Sequence, residues 1–386
     1  MNEINRRNFL VMSSAGAAAL GLGRGAVSAV DRKDGPSRVV RFHGDGLGLT
    51  PGEYATCLSQ LAAEETIEPD YYSRGGSVEK LERRMAELLG KERAVFFPTG
   101  TLANQLAVGV LAGEEGRVLL QEESHLYNDS GDCCQRLSNL PVIGLAPGEA
   151  TFSLEQVQAE VARAASGRVS TPIRVIGIES PVRRLWQQVF DFDEMQRISA
   201  FAREEGIGMH LDGARLFLAP AYTGISVKEY ASLFDTVYIS LWKYFNAGSG
   251  AILAGPDALL KEMFHTRRMY GGSLPYGWAF AAVALHYMEG FSDRFQEAVG
   301  VSEEVFKRLE QRSDFDIERV AGGTNTSRLK VAGTDAQEFR RRLSKLDIDL
   351  PEPLADGTGF KIQVNETWRF MAPAQIAEAL IEARTG

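Results

Sequence analysis

Short apolar runs alternate with stretches of helical periodicity through the middle of the chain. The runs show little polar alternation, which is typical of strands in a parallel sheet covered on both faces. Regular alternation of strands and helices implies right-handed crossovers, so the pattern predicts a large wound, mostly parallel α/β sheet. The predicted strands are Ala94–Phe97, Arg117–Gln121, Ile173–Ile178, Ile207–Leu211, Thr236–Leu241 and Gly250–Ala254, and the predicted helices are Ser77–Leu89, Leu102–Leu111 and Phe192–Glu205.

The pattern changes near Gly271-Gly272, where long helical stretches are followed by short strands. We therefore expect an N-terminal arm and large domain over residues 30–271 and a small α+β domain over residues 272–386. In the small domain the predicted helices are Trp278–Met288, Phe295–Glu310 and Ala336–Leu346, and the predicted strands are Thr326–Val331, Gly359–Val364 and Thr367–Met371.

Residues 1–29 have the pattern of an export signal. Arg6-Arg7 forms a twin-arginine pair, an apolar stretch follows over residues 11–22, and Val27-Ser28-Ala29 supplies small residues for cleavage. A transmembrane anchor is the alternative, but the stretch is short for a span and rich in Gly and Ala. We expect cleavage, a periplasmic or extracellular location, and no stable membrane insertion afterwards.

Composition limits the partners that the chain can have. The formal net charge is −9 and no long Lys/Arg run occurs, which argues against nucleic acid and favours a small-molecule substrate. The cysteines Cys57, Cys133 and Cys134 do not form a disulfide framework, and the five histidines are too scattered for a zinc site. We expect no metal.

Polar residues follow directly after the predicted strands. In open parallel sheets the ligand lies beyond the carboxyl ends of the strands, so these residues are candidates for the functional site. They are Thr99-Gly100-Thr101, His125, Glu179, Asp212 with Arg215, and Lys243. The set offers a phosphate site, an aromatic ring, two carboxylates, a guanidinium and an amine.

Three of these candidates also have an ordinary structural interpretation. Thr99-Gly100-Thr101 precedes a helix, where free backbone N–H groups bind phosphate or simply begin the helix. Asp212 needs a cationic partner if buried, which could be a protonated pyridine nitrogen or Arg215. Lys243 follows an apolar run in which its pKa would fall, although most lysines at strand ends are solvated.

Three segments together resemble low-specificity threonine aldolases of the aromatic amino acid beta-eliminating lyase family. Residues 96–104 (FFPTGTLAN) resemble the family's phosphate-binding segment, residues 210–215 (HLDGAR) its cofactor-ring segment, and residues 240–243 (SLWK) its Schiff-base segment. Their order and spacing also fit. The resemblance implies the fold type I arrangement of pyridoxal-phosphate (PLP) enzymes, with a large wound domain and a small α+β domain.

The resemblance also implies roles for individual residues. Gly100 and Thr101 would contact the cofactor phosphate, and Lys243 would hold PLP as a Schiff base. His125 would stack on the ring and Asp212 would pair with the ring nitrogen. The remaining assignments are Arg215 to the ring hydroxyl and substrate, Arg369 to the substrate carboxylate, and Glu179 to the floor of the active site.

The function implied is Cα–Cβ cleavage of a β-hydroxy-α-amino acid to glycine and an aldehyde. β-Elimination and transamination share the same cofactor chemistry, and a non-catalytic exported protein is the remaining alternative. Family members usually carry a serine in the N-terminal arm that helps to bind the substrate carboxylate, whereas this arm reads Phe42-His43-Gly44-Asp45. The resemblance further implies a homodimer or homotetramer with sites at the subunit interfaces.

Overall fold

A seven-stranded sheet forms the centre of the computed structural model, which describes residues 39–113, 116–357 and 359–385. The strands of the described chain are β1 (Val40–Arg41), β2 (Arg93–Phe97), β3 (Arg117–Gln121), β4 (Val142–Leu145), β5 (Ile173–Glu179), β6 (Gly208–Asp212), β7 (Thr236–Ser240), β8 (Ala251–Gly255), β9 (Phe315–Arg319), β10 (Thr326–Val331), β11 (Ile348–Asp349) and β12 (Phe360–Gln363). The central sheet has the order β2-β8-β7-β6-β5-β3-β4.

Neighbouring strands from β7 to β4 run parallel, whereas β8 is antiparallel to both β2 and β7. The predicted wound, mostly parallel sheet is confirmed. Strands β7 and β8 are buried at every position, which explains why their sequences show no polar alternation. The edge strand β4 was not predicted, because three of its four positions are only half-buried and its apolar pattern is weak.

Helices cover this sheet and continue into the C-terminal part. They are α1 (Pro51–Ala63), α2 (Gly76–Leu89), α3 (Gly100–Ala112), α4 (His125–Asn128), α5 (Cys133–Ser138), α6 (Leu154–Ala165), α7 (Phe192–Glu205), α8 (Pro220–Thr223), α9 (Val227–Ser232), α10 (Asp257–Leu260), α11 (Met263–Met269), α12 (Trp278–Met288), α13 (Phe291–Leu309), α14 (Ala336–Leu343) and α15 (Pro373–Thr385). Side-chain caps begin several of them, such as Thr50 with Glu53 at α1 and Asp191 at α7.

The C-terminal part contains a three-stranded antiparallel sheet of order β12-β10-β9. The strand predicted at Thr367–Met371 is wrong, because Glu366–Phe370 forms a 3₁₀ helix. The side-chain oxygen of Asn365 accepts hydrogen bonds from the backbone N–H and the hydroxyl of Thr367, which starts this turn. Trp368 is then buried against Phe42, with 4.2 Å between the ring centroids.

The predicted domain boundary falls between α11 and α12. Gly272 lies against helix α3, which packs on the large sheet, because an added Cβ at Gly272 would be 2.4 Å from Leu102 Cδ2. The chain at the predicted boundary therefore contacts the large domain. The division into two domains stays a prediction. Within the described residues, no helix combines the length and the apolarity needed to span a bilayer.

The N-terminal arm ties the C-terminal part to the large sheet. Strand β1 pairs in parallel with β11, and the Asn365 amide donates hydrogen bonds to the carbonyls of Arg41, His43 and Gly44, each at 3.1 Å. On the other side, Leu47 N–H donates to Asn246 Oδ1 at 2.7 Å. The arm is thus fixed beside the segment that follows β7.

Candidate active site

The carboxyl ends of β5 and β6 bring two carboxylates together. Glu179 and Asp212 are register partners at the ends of these strands, and both side chains are buried. Asp212 Oδ2 accepts a hydrogen bond from Asn104 Nδ2 at 2.6 Å, and its Oδ1 accepts one from Ala214 N–H at 3.1 Å. Two donors therefore hold Asp212 in one orientation at the edge of the sheet.

A buried histidine fixes the amide that holds Asp212. His210 Nε2 is 2.9 Å from Asn104 Oδ1, and its Nδ1 is 2.9 Å from the hydroxyl of Thr236. Burial lowers the pKa of His210 to about 4, so the ring is neutral at neutral pH. With His210 bonded to its oxygen, the Asn104 amide must point its nitrogen at Asp212.

Glu179 positions two loops through their backbones. Its Oε2 accepts from the N–H of His125 at 2.5 Å, and its Oε1 accepts from the N–H of Arg183 at 3.0 Å. Burial, and then the negative charge of Asp212, raises the pKa of Glu179 to about 7. Glu179 therefore holds His125, at the start of α4, next to the loop that follows β5.

Lys243 lies in the segment after β7, as the sequence predicted. Burial, and then the positive charge of Arg215, lowers the pKa of Lys243 to about 8. The negative charges of Asp212, Asp45 and Glu179 oppose this lowering of the pKa. A larger neutral fraction makes this lysine a better nucleophile at neutral pH than a solvated one.

The amino end of α3 forms a shallow cradle beside these residues. Thr99 caps the helix, with its hydroxyl accepting from Leu102 N–H at 3.4 Å, and the first N–H groups of the helix have no intrahelical acceptor. Gly100 packs on Tyr238, since an added Cβ would lie 2.0 Å from the tyrosine hydroxyl oxygen. Any larger residue at position 100 would displace either the tyrosine or the helix end.

His125 stands half-buried at the start of α4. Its Nδ1 is 3.9 Å from Asp129 Oδ2, and its backbone N–H is held by Glu179. The role of His125 in stacking on the cofactor ring stays a prediction. Asp129 also pairs with Arg183, which joins α4 to the loop after β5.

Arg215 pairs with the arm and not with Asp212. Its Nε and Nη2 atoms each lie 2.9 Å from Asp45 Oδ2, and both side chains are nearly buried, at 11% and 8% exposure. The structural alternative of an Asp212–Arg215 pair is therefore wrong. Sequence reasoning noted that the arm departs from the family at this point but did not assign Asp45 to the site.

Arg369 is paired with a glutamate of the C-terminal part. On the 3₁₀ helix its Nε lies 2.5 Å from Glu297 Oε2 of α13, and the pair is partly exposed. Arg369 was predicted on a strand and lies instead on the turn started by Asn365, and its role toward the substrate carboxylate stays a prediction. The interactions described above for Lys243, Asp212 and Arg215 do not include Arg369.

Lys361 is a further cation whose charge environment includes Arg215, and the sequence analysis did not single it out. It lies half-buried in β12, where burial and then the positive charges of Arg215 and Arg183 lower its pKa. Its Nζ lies 4.9 Å from the ring centroid of Trp186, and within the described residues it makes no ion pair with a carboxylate. The only sequence signal was the alternation of β12, which places Phe360 and Ile362 in the core and Lys361 on the other face.

Comparison with known proteins gives the family. The family model described as Beta-eliminating lyase matches residues 55–332. The chain belongs to the beta-eliminating lyase family. The matched region contains Gly100, His125, Asp212 and Lys243, and the predicted resemblance is confirmed.

Individual relatives agree with this assignment. The low-specificity L-threonine aldolase of Candida albicans is 30% identical over 227 residues, which are 58% of this chain and 60% of that protein. A provisionally assigned aromatic amino acid beta-eliminating lyase/threonine aldolase from Exiguobacterium has a TM-score of 0.74 at 25% identity, covering 90% of this chain and 98% of that one. A provisionally assigned L-allo-threonine aldolase from Listeria monocytogenes has a TM-score of 0.71 at 26% identity, covering 90% and 96%.

These matches confirm the fold type I architecture. The sequence alignment with the Candida relative spans less than two thirds of that protein, whereas the structural matches extend over nearly the whole of theirs. Across residues 39–113, 116–357 and 359–385, no three His, Cys, Asp or Glu side chains gather in a way that would hold a metal ion.

Proposed function

We propose that the chain is a PLP-dependent lyase that cleaves the Cα–Cβ bond of a β-hydroxy-α-amino acid to give glycine and an aldehyde. One observation carries the proposal: Lys243 follows β7, and the neighbouring strand β6 ends at the oriented carboxylate of Asp212. The family match and the threonine aldolase relatives support the same reaction.

The residues of the site fit PLP. Lys243 Nζ is the group that would bind the cofactor aldehyde, and Asp212 would face the ring nitrogen and keep it protonated. Gly100 and Thr101 would donate backbone N–H groups to the phosphate, where a side chain at position 100 would collide with Tyr238. Arg215 would lie beside the ring hydroxyl. When bound, the cofactor supplies an electron sink for the bond that breaks at Cα.

We assign the substrate carboxylate to Lys361. Arg215 is already neutralised by Asp45, and Arg369 is paired with Glu297. Lys361 is a half-buried ammonium with further positive charge nearby, so it offers an anion a net attraction and a direct hydrogen bond. The amino acid would therefore be oriented by Lys361 at its carboxylate and by the cofactor at its nitrogen.

The experiment is an amino-acid panel on purified holoprotein, with aldehyde, glycine and keto acid scored separately. Equal amounts of glycine and aldehyde from a β-hydroxy-α-amino acid are expected, and Lys243→Ala should form neither. Keto acid without glycine would replace the proposal with β-elimination or transamination. If no amino acid is converted and none changes the visible absorbance of the holoprotein, a non-catalytic role replaces it.

We also propose export by the twin-arginine route to the periplasm or the outside of the cell. The predicted signal, residues 1–29, lies outside the described residues, so the proposal rests on Arg6-Arg7 and Val27-Ser28-Ala29 in the sequence. A variant with both Arg6→Lys and Arg7→Lys should remain unprocessed in the cytoplasm. Continued export and trimming of that variant near Ala29 would exclude the twin-arginine route.

We further propose that the chain assembles as a homodimer or homotetramer. Four exposed large apolar side chains lie on two segments that contact one another, since Tyr72 N–H donates to Pro275 O at 3.0 Å. The exposed residues are Tyr71, Met269, Tyr270 and Tyr276. Gly272, between them in sequence, packs on Leu102 in the first turn of α3, so this face adjoins the proposed phosphate cradle.

A further inference from the structure

The N-terminal arm contacts the segment of Lys243 at the residue that follows Asp45. An added Cβ at Gly46 would lie 2.3 Å from the carbonyl oxygen of Lys243 and 2.5 Å from Asn246 Oδ1. Leu47 N–H is hydrogen-bonded to the same Asn246 side chain. The backbone on the carboxyl side of Asp45 therefore touches the backbone of the lysine, and a residue without a side chain is required at position 46.

Asp45 has one oxygen in use and one without a partner. Oδ2 accepts both contacts from Arg215, at 2.9 Å each. The Asp45 side chain is only 8% exposed. Its Oδ1 is shielded from solvent and has no hydrogen-bond partner. Leaving a carboxylate oxygen buried and unsatisfied is costly, so this atom is expected to meet a donor on a ligand.

The other buried acceptors of the site are already occupied. Both oxygens of Glu179 accept from backbone N–H groups, and both oxygens of Asp212 accept from Asn104 and Ala214. Both ring nitrogens of His210 are within 2.9 Å of a partner. Among the carboxylates that act on Lys243, Asp45 is thus the one with an acceptor still free.

We propose that Asp45 accepts the proton of the substrate β-hydroxyl when the Cα–Cβ bond breaks. The inference rests on the proposed aldol cleavage and assigns its general base. The O–H bond breaks and its proton moves to Asp45 Oδ1, while the O–H electron pair forms the carbonyl of the aldehyde. The Cα–Cβ bond breaks with its electron pair left on Cα, which then takes a proton to give glycine, and Asp45 gives up its proton to water that enters when the products leave.

The main test is Asp45→Asn, which keeps an acceptor oxygen but removes the base. For the β-hydroxy amino acid identified by the panel, kcat should fall about 10²- to 10⁴-fold with little change in KM. Exchange of the glycine Cα proton in D₂O, followed by NMR, needs no β-hydroxyl base and should persist in the variant. PLP affinity, titrated by absorbance, should also be retained.

Two further measurements separate a base from a structural residue. Asp45→Ala should regain cleavage when formate is added, because the small carboxylate fits the space that the side chain leaves. The matched control is Asp349→Asn, another acid-to-amide change at a contact of the arm, where His43 Nε2 lies 2.9 Å from Asp349 Oδ2. This control should keep the native kcat, glycine exchange and PLP affinity.

The outcomes are distinct from those of the proposed function. If the native protein cleaves the substrate and Asp45→Asn cleaves it equally fast, the lyase stands and Asp45 is not its base. Loss of cleavage in His125→Phe, with cleavage retained in Asp45→Asn, would give the role to His125. A changed resting absorbance in Asp45→Asn with unchanged kcat would mean that Oδ1 meets the cofactor hydroxyl, which also overturns the inference.

Discussion

His210 supports the site at the scale of single residues, because its neutral ring orients Asn104 and thereby Asp212. Burial lowers its pKa from 6.5 to about 4, so the unfolded chain binds a proton between these values that the folded chain does not. The stability due to the neutral ring is present above pH 6.5 and is lost as the pH falls towards 4. The loss by pH 4 amounts to about 3 kcal/mol.

In His210→Gln the free energy of unfolding should therefore fall less steeply as the pH is lowered. The free energy of unfolding, measured in urea from pH 7 to pH 4, should fall more steeply for the native protein than for the variant, by about 3 kcal/mol over the range. His265→Gln, at an exposed position of α11, is the control and should leave the slope unchanged. Equal slopes for native protein and His210→Gln would contradict the buried neutral ring.

Lys361 and Arg369 give opposite predictions for substrate binding. Lys361→Ala should raise KM about ten- to a hundredfold, since a charge-assisted hydrogen bond is worth about 1.5–3 kcal/mol, and PLP affinity should be retained. Arg369→Ala should leave KM unchanged, because its partner is Glu297 on α13. Steady-state kinetics with the substrate from the panel checks both, and the reverse pattern would restore the original assignment of Arg369.

Residues of the site differ in how well the sequence predicted them. Gly100, His125 and Lys243 follow strands, Glu179 and Asp212 end them, and strand ends can be predicted from apolar runs. Asp45 and Lys361 could not be placed in this way. Their positions depend on long-range pairings of the arm and of β12 with distant segments, which leave no periodic signal in the chain.

At the scale of elements, the start of α3 is tightly constrained by Tyr238. Gly100→Ala would place a Cβ 2.0 Å from the Tyr238 hydroxyl, and relieving this overlap is expected to cost about 1–3 kcal/mol. Because the first N–H groups of α3 would shift with it, PLP affinity should fall. A titration of the apoprotein with PLP, together with thermal unfolding, measures both effects.

Gly109→Ala is the matched control within the same helix. Its added Cβ would meet Ser138 Oγ at 3.3 Å, a flexible contact, and alanine favours the helix interior by about 0.5–1 kcal/mol. PLP affinity should be unchanged in this variant. If Gly100→Ala binds PLP as tightly as Gly109→Ala, the cradle at the start of α3 does not hold the phosphate.

Some elements were predicted to the residue because their burial pattern is plain in the sequence. The bounds of β3, α7, β10 and α12 agree with the sequence-based ranges. Four of the five positions of β3 are buried in one run, and the buried residues of α7 recur at helical spacing. The 3₁₀ helix at Glu366–Phe370 was taken for a strand because a short run with a buried Trp368 fits either structure. The Asn365 side chain starts the turn by accepting a hydrogen bond from Thr367 N–H, and the hydrophobic pattern of the sequence does not show such a contact.

At the scale of the whole molecule, the face with four exposed large apolar side chains predicts self-association. Tyr276→Glu would place a charge on a face that carries Tyr71, Met269 and Tyr270, and it should shift the mass measured by light scattering from an oligomer to a smaller species. Val169→Glu is the control, since Val169 is 79% exposed but precedes the amino end of β5, at the opposite edge of the sheet. A monomeric native protein, or an oligomer unaffected by Tyr276→Glu, would exclude this face.

The central claim is that Lys243 is the lysine that carries PLP, and covalent labelling tests it most directly. Native protein is incubated with PLP, reduced with borohydride and mapped by peptide mass spectrometry. The account predicts one pyridoxyl label, on Lys243, and none at this position in Lys243→Ala. A label on another lysine such as Lys361, or a protein that takes up no PLP, would contradict it.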